Sequence, residues 1–142
     1  MTLSLWMLLA FAGWTLLILL MGVGVPRWLL IFQGKAMLTS FPGDVAHGSP
    51  AYRRATRAHA NCIENLPVFA AIVLTASAAH LNPPHMGLLA ATILGARIVQ
   101  SCVHMFLPES NASIAVRFSG LLIQVSAMIA MMVLLAMAAV AR

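Results

Sequence analysis

The sequence predicts an all-α membrane protein in which four transmembrane helices form a single bundle. Hydrophobic residues make up 62% of the 142 residues and charged residues only 8%, whereas a soluble domain carries about 25% charged residues. The hydrophobic residues lie in four long stretches with polar connections between them. Only helices and closed barrels satisfy the backbone in lipid, and these stretches are too long and too uniformly apolar for barrel strands.

The four stretches define one domain with four spans. The first lacks a positively charged start and is too long for a signal-peptide core, so we interpret it as a true span. The second is interrupted by Asn61 and Glu64, and the third contains Arg97. Ser49 followed by Pro50 is typical of a helix start, so the second helix is expected to begin near residue 50. The spans are predicted at residues 3–25, 58–79, 86–107 and 118–141.

The distribution of lysine and arginine predicts the orientation, because basic residues concentrate in cytoplasmic connections. The first and third connections and their flanks contain Arg27, Lys35, Arg53, Arg54, Arg57 and Arg117. The tails and the second connection contain only Arg142. Both termini are therefore expected on the non-cytoplasmic side. The absence of an organelle signal and the short loops fit a bacterial inner membrane or an endoplasmic reticulum, and we favour the bacterial one. The basic residues form no nucleic-acid-binding stripe, so no nucleic-acid partner is expected.

Polar side chains inside the spans predict a functional site in the cytoplasmic half, because such residues are costly in lipid and usually serve a function. They form three stripes: Arg57, Asn61 and Glu64 on the second helix; Arg97, Gln100, Ser101 and His104 on the third; Arg117 and Gln124 on the fourth. Glu64 and Arg97 lie ~9 and ~15 Å from the cytoplasmic edge at 1.5 Å per residue, so the two could pair.

Structural interpretations of the same residues stay open. A Glu64–Arg97 pair could simply hold two helices together, and Arg117 could be an anchor that reaches the lipid headgroups. Arg53 and Arg54 are better explained by topology and headgroup contacts. The histidines lack a metal-ligand spacing and divide between the two sides, so no metal site is predicted.

The segment from Arg57 to Phe69 resembles the signature of the MAPEG family, the membrane-associated proteins in eicosanoid and glutathione metabolism. Asn61 stands four residues after the arginine, Glu64 follows three residues later, and Pro67 precedes the aromatic residue. The resemblance extends over essentially the whole chain. It implies a homotrimer of four-helix protomers with termini on the non-cytoplasmic side, in agreement with the charge distribution. It also implies that glutathione, as co-substrate, lies between protomers near the cytoplasmic face.

The resemblance further implies roles for individual residues. Arg57, Asn61 and Glu64 would bind the carboxylates and amine of glutathione, and Arg117 would be the catalytic residue aimed at the sulfur. The expected glutathione-binding residues also include Arg97, Gln100 and His104, of which the last two stand where the family often has tyrosine.

The activity expected from the resemblance is that of a glutathione transferase or peroxidase. It would act in detoxification on a hydrophobic, lipid-like electrophile that arrives from the bilayer. One branch of the family binds lipids and assists a partner enzyme without catalysis. A non-catalytic accessory protein and a purely structural bundle are therefore the alternatives.

Overall fold

The computed structural model describes residues 1–42 and 47–141. The described residues form four long helices and no strand, and each helix is long and apolar enough to cross a membrane, so the predicted fold class is confirmed. The helices are α1 (Leu3–Phe32), α2 (Pro50–Ala78), α3 (Met86–Phe106) and α4 (Asn111–Val140). Arg142, which the charge count placed on the non-cytoplasmic side, lies outside the described residues.

Three helices extend beyond the apolar stretches of the sequence. Helix α1 continues to Phe32, and α2 and α4 begin at Pro50 and Asn111. Hydropathy locates only the part of a helix that lies in hydrocarbon, whereas the backbone stays helical for as long as its end groups are satisfied. A helix of 30 residues, such as α1, is ~45 Å long, about 15 Å more than the hydrocarbon core. The extra turns therefore reach the headgroup region.

Serine side chains cap the starts of α2 and α4. The Ser49 hydroxyl accepts a hydrogen bond from the Tyr52 N–H at 3.2 Å, directly before Pro50 at the first helical position. The Ser110 hydroxyl accepts one from the Ser113 N–H at 3.2 Å. Each cap satisfies a backbone donor that has no partner inside its helix. The caps explain why both helices begin several residues before the apolar stretch.

Helix α1 contains a π-helical segment at Ile18–Gly24. Its Gly22 packs against the start of α2, where an added Cβ would lie 2.9 Å from the Cβ of Ala55. A side chain at this position would push the two helices apart. Beyond the segment, the Nε of Arg27 donates a hydrogen bond to the Tyr52 hydroxyl. The close approach and this hydrogen bond hold the end of α1 against the start of α2.

The helices run up and down in chain order, and α3 packs against the other three. The core is mostly apolar and includes the rings of Phe11 and Phe69, whose centres are 5.7 Å apart. At one end of the bundle, which we call the basic end, the Nε of Arg54 donates to the carbonyl of Met105 at 3.1 Å. At the other end, Gly87 at the start of α3 packs against the start of α1. Most of the bundle exterior is apolar, as expected for a surface that faces lipid.

Candidate functional site

The predicted polar stripe of α2 lies on the outside of the single chain. Arg57 and Glu64 are exposed and Asn61 is half-buried, whereas Ala58 and Cys62 on the inner side of α2 are buried. The inner side consists of small residues that allow close packing against α3. We call the residues Arg57, Asn61 and Glu64 the α2 polar face.

The predicted polar stripe of α3 lies inside the bundle. Arg97, Gln100, Ser101 and His104 are all buried, and Arg97 is only 1% exposed. Its guanidinium carbon lies 5.6 Å from the centre of the Phe11 ring of α1. The Nε and Nη2 of Arg97 have no hydrogen-bond partner. The α3 stripe therefore faces the interior of the bundle, whereas the α2 stripe faces outward.

Ser101 of the α3 stripe contacts the inner side of α2, because its Oγ lies 3.7 Å from the Cys62 Sγ. Arg97 is one turn before Ser101 on α3, and Glu64 is two residues after Cys62 on α2. The side chain with the largest electrostatic effect on the Arg97 guanidinium is Cys62, and Glu64 has a smaller effect. The described residues nevertheless include no hydrogen bond between the two side chains, so a direct Glu64–Arg97 pair is not formed in this conformation.

Gln100 is part of the joint between α3 and α4. Its Nε2 donates to the backbone carbonyl of Arg117 at 2.8 Å, and its Oε1 accepts from the Nε2 of Gln124 at 2.9 Å. The Gln124 Nε2 also donates to the carbonyl of Gly120 at 2.8 Å. An added Cβ at Gly120 would lie 3.3 Å from the Gln100 Cβ, so this glycine lets the helices approach. Gln100, predicted from the sequence as a ligand-binding residue, thus holds the backbone of Arg117 in place.

Arg117 and His104 come together at the basic end. Arg117 is half-buried on the first turns of α4. The charged groups that act electrostatically on the His104 ring are Arg117 of α4, Arg57 of α2, Glu109 and Arg54. Both ring nitrogens of His104 are buried and have no hydrogen-bond partner. Within residues 1–42 and 47–141, no three His, Cys, Asp or Glu side chains are close enough to hold a metal ion.

Arg54 has a role that sequence reasoning missed. The sequence suggested headgroup contacts, but the Arg54 Nε donates to the carbonyl of Met105 and thereby satisfies the last turn of α3. No sequence signal identifies this contact, because the acceptor is a backbone carbonyl that any residue type provides. The contact fixes the start of α2 beside the end of α3, where His104 lies.

The basic end can bind an anionic molecule next to a lipid-facing surface. Arginine presents a planar fork of donors that matches a carboxylate, and Arg57 and Arg117 both act electrostatically on His104. Glu64 on the α2 polar face can pair with a cationic group. The arrangement suits a small zwitterionic ligand with several charged groups.

Comparison with known proteins gives one match. The model of the MAPEG family matches residues 7–137. No curated protein and no solved structure is significantly similar to the chain. The matched range includes every residue that was predicted for the site and almost the full length of the four helices.

Proposed function

Since the chain belongs to the MAPEG family, we propose that it is a glutathione-dependent membrane transferase or peroxidase. It would join the glutathione sulfur to a hydrophobic electrophile, or reduce a lipid hydroperoxide with two glutathione molecules as the reductant. The acceptor would enter from the bilayer. The observation that best supports this function within the family is the α2 polar face, which presents Arg57, Asn61 and Glu64 beside an apolar exterior.

The three residues of the α2 polar face match the charged groups of glutathione. Arg57 would bind a carboxylate through its guanidinium, and Glu64 would bind the ammonium group of the γ-glutamyl residue. Asn61 lies between them on the helix and offers both a donor and an acceptor. These groups fit the polar part of the tripeptide and leave its thiol free to reach α4.

The outward direction of this face supports a site between protomers. Arg57 and Glu64 are exposed in the single chain, and a charged side chain that faces lipid inside a span, as Glu64 would, is unfavourable. In a homotrimer, a neighbouring protomer and the bound glutathione would cover them. We therefore propose that the glutathione site is completed by a second copy of this chain.

Arg117 would activate the thiol. The thiolate is the nucleophile, and a cation beside it favours its formation. In a conjugation, the thiol loses its proton, the sulfur bonds to the electrophilic carbon, and the leaving group departs. Gln100 supports this role indirectly because it fixes the backbone of Arg117.

A non-catalytic function, either lipid binding or assistance to a partner enzyme, is the second candidate. This candidate is favoured by the residues Gln100 and His104, which occupy positions where the family often has tyrosine. The Gln100 amide is committed to the α3–α4 joint, and the His104 nitrogens are buried. Neither position provides a phenol hydroxyl for the sulfur.

Glutathione binding and turnover by the purified protein test the proposal. Glutathione should raise the melting temperature of the detergent-solubilised protein, because a ligand that binds only the folded state stabilises it. A generic aromatic electrophile should then be conjugated. As a control, a glutathione analogue with a methyl group in place of the CH₂SH group should bind without turnover. Binding of glutathione without thiolate or turnover would favour the non-catalytic candidate, and no binding would exclude both transferase and peroxidase.

A further inference from the structure

Two tryptophans mark the two ends of the α1 exterior. Trp6 and Trp28 are both 53% exposed, and they lie 22 residues apart in the sequence. This separation corresponds to ~33 Å along a helix, and the hydrocarbon core of a bilayer is ~30 Å thick. Tryptophan concentrates at the two membrane–water interfaces, where its ring lies among lipids and its N–H reaches polar groups. The spacing therefore matches one tryptophan at each interface.

The surface of α1 between the two tryptophans is apolar. Large side chains such as Leu9, Leu16 and Leu20 are exposed there. Thr15, the only hydroxyl-bearing residue in this interval, is buried and donates to the carbonyl of Phe11 at 2.9 Å. The exterior of α2 differs, because it exposes the charged residues of the α2 polar face. An exposed surface without polar groups fits acyl chains, which offer no hydrogen-bond partners.

At the basic end, Trp28 belongs to a group of exposed aromatic rings. It stacks on Phe32 with the ring centres 5.6 Å apart, and both rings are exposed. The end of α3 contributes a third exposed ring, that of Phe106. We call Trp28, Phe32 and Phe106 the aromatic group of the basic end.

Hydrogen bonds between the helices place the members of this group at one level of the bundle. Arg27, the residue before Trp28, donates to the Tyr52 hydroxyl of α2. Two residues further along α2, Arg54 donates to the backbone carbonyl of the residue before Phe106 at 3.1 Å. Helix α3 has 21 residues and is ~32 Å long, so its other end lies one bilayer core away from this level.

We propose that the α1 exterior is a phospholipid-contacting surface whose two ends are fixed at the membrane interfaces by Trp6 and by the aromatic group of the basic end. Acyl chains cover the surface between the two tryptophans, and the indole N–H groups meet the glycerol and headgroup region. A second copy of the chain packs on another side of the bundle and leaves this surface to lipid. This role is independent of glutathione binding.

Three variants test the depth, each with one tryptophan left and the other two replaced by phenylalanine. They are reconstituted in phosphatidylcholine vesicles with bromine either near the headgroup or near the end of the acyl chains. With only Trp6 or only Trp28, the protein should lose more fluorescence to the shallow bromines. The control retains only the half-buried Trp14, which lies ~12 Å further along the helix than Trp6 and should lose more to the deep bromines.

Two results would overturn the proposal. Weak quenching of Trp28 by both lipids would mean that protein covers this ring. Stronger quenching of Trp28 by the deep bromines would place the ring in the hydrocarbon core rather than at the interface.

A spin label on the α1 exterior tests the lipid contact with all three tryptophans in place, so the test remains decisive even if the variants with one tryptophan fail to fold. A nitroxide attached to Leu20→Cys should be accessible to oxygen, which dissolves in lipid, and inaccessible to a water-soluble nickel chelate. Arg53→Cys, exposed at the basic end, is the control and should be accessible to the chelate. The wild type, with the buried Cys62 and the half-buried Cys102, gives the background. An immobile label at position 20 that neither reagent reaches would show that another copy covers α1, and the proposal would be wrong.

Discussion

At the scale of single residues, the polar side chains divide into those that face outward and those that are buried inside the bundle. Arg57 and Glu64 are exposed on α2, whereas Arg97 is buried on α3. The outward residues have charges that glutathione can neutralise. The buried ones contact other parts of the bundle: Arg97 lies over the Phe11 ring, and Gln100 hydrogen-bonds to the Arg117 carbonyl and to Gln124. Substitutions in the two groups should therefore affect binding in different ways.

Arg57→Ala should weaken glutathione binding by about 1.5–3 kcal/mol, because it removes a charge-assisted hydrogen bond to a carboxylate. The residue is exposed, so its truncation should leave the fold intact. Titration calorimetry on the detergent-solubilised protein measures the change. Arg53→Ala is the matched control and should bind like the wild type. Wild-type affinity in a folded Arg57→Ala variant would remove Arg57 from the site.

Arg117→Lys should reduce turnover, because lysine lacks the planar fork that holds the sulfur, and Arg117→Leu should reduce it further. Glutathione affinity should fall less than turnover, since the charge being stabilised develops on the sulfur. Gln100 bonds to the backbone carbonyl of Arg117, so neither change removes this acceptor. Thiolate absorbance and turnover of each variant provide the measurement. Full activity in Arg117→Lys would instead identify Arg117 as a headgroup anchor.

At the scale of helices, polar contacts set the distances between neighbours in an otherwise apolar bundle. Gln100 and Gln124 join α3 to α4, Cys62 and Ser101 join α2 to α3, and Arg54 joins the start of α2 to the end of α3. Apolar side chains gain little from leaving lipid for a helix interface, so packing and hydrogen bonds define these contacts. The geometry of the proposed site depends on these contacts, because its residues come from three helices.

Gln124→Leu should destabilise the protein by about 1 kcal/mol, because it leaves the buried Gln100 oxygen without its donor. It should also reduce turnover more than glutathione affinity, since the Gln100 amide positions the Arg117 backbone. Ser126→Leu, an exposed polar-to-apolar change on the same helix, is the control and should be neutral. Chemical denaturation in detergent compares the two. Equal stabilities would mean that the Gln100–Gln124 hydrogen bond contributes nothing to the α3–α4 joint.

At the scale of the whole molecule, the proposed function depends on how the chain is oriented in the membrane and on whether it assembles with further copies of itself. The basic end is expected to face the cytoplasm, where glutathione is dissolved, while the apolar exterior meets the acceptor in the bilayer. The exposed charges of α2 are expected to lie at a contact between protomers. Orientation can be tested separately from assembly.

A cysteine introduced at Ser40 should react with a membrane-impermeant reagent only from the cytoplasmic side, and one at Asn82 only from the opposite side. The reason is the excess of lysine and arginine around the first and third connections. Both positions are exposed, and the native Cys62 is buried. The wild type, with Cys62 and the half-buried Cys102, gives the background labelling. Reaction of both positions from one side would contradict the orientation.

The sequence by itself determined the fold class, the order of the four helices and the residues of the α2 polar face. These follow from hydropathy and from spacing along one helix, both of which are local properties. The sequence also suggested that the polar stripes face one common region, which is wrong. Spacing along a helix shows which residues share a face, but it does not show what that face packs against. Only the tertiary structure decided that Arg97 lies against Phe11 and that Gln100 binds the Arg117 carbonyl. Those contacts depend on how closely the helices approach, which glycines such as Gly120 and backbone acceptors control.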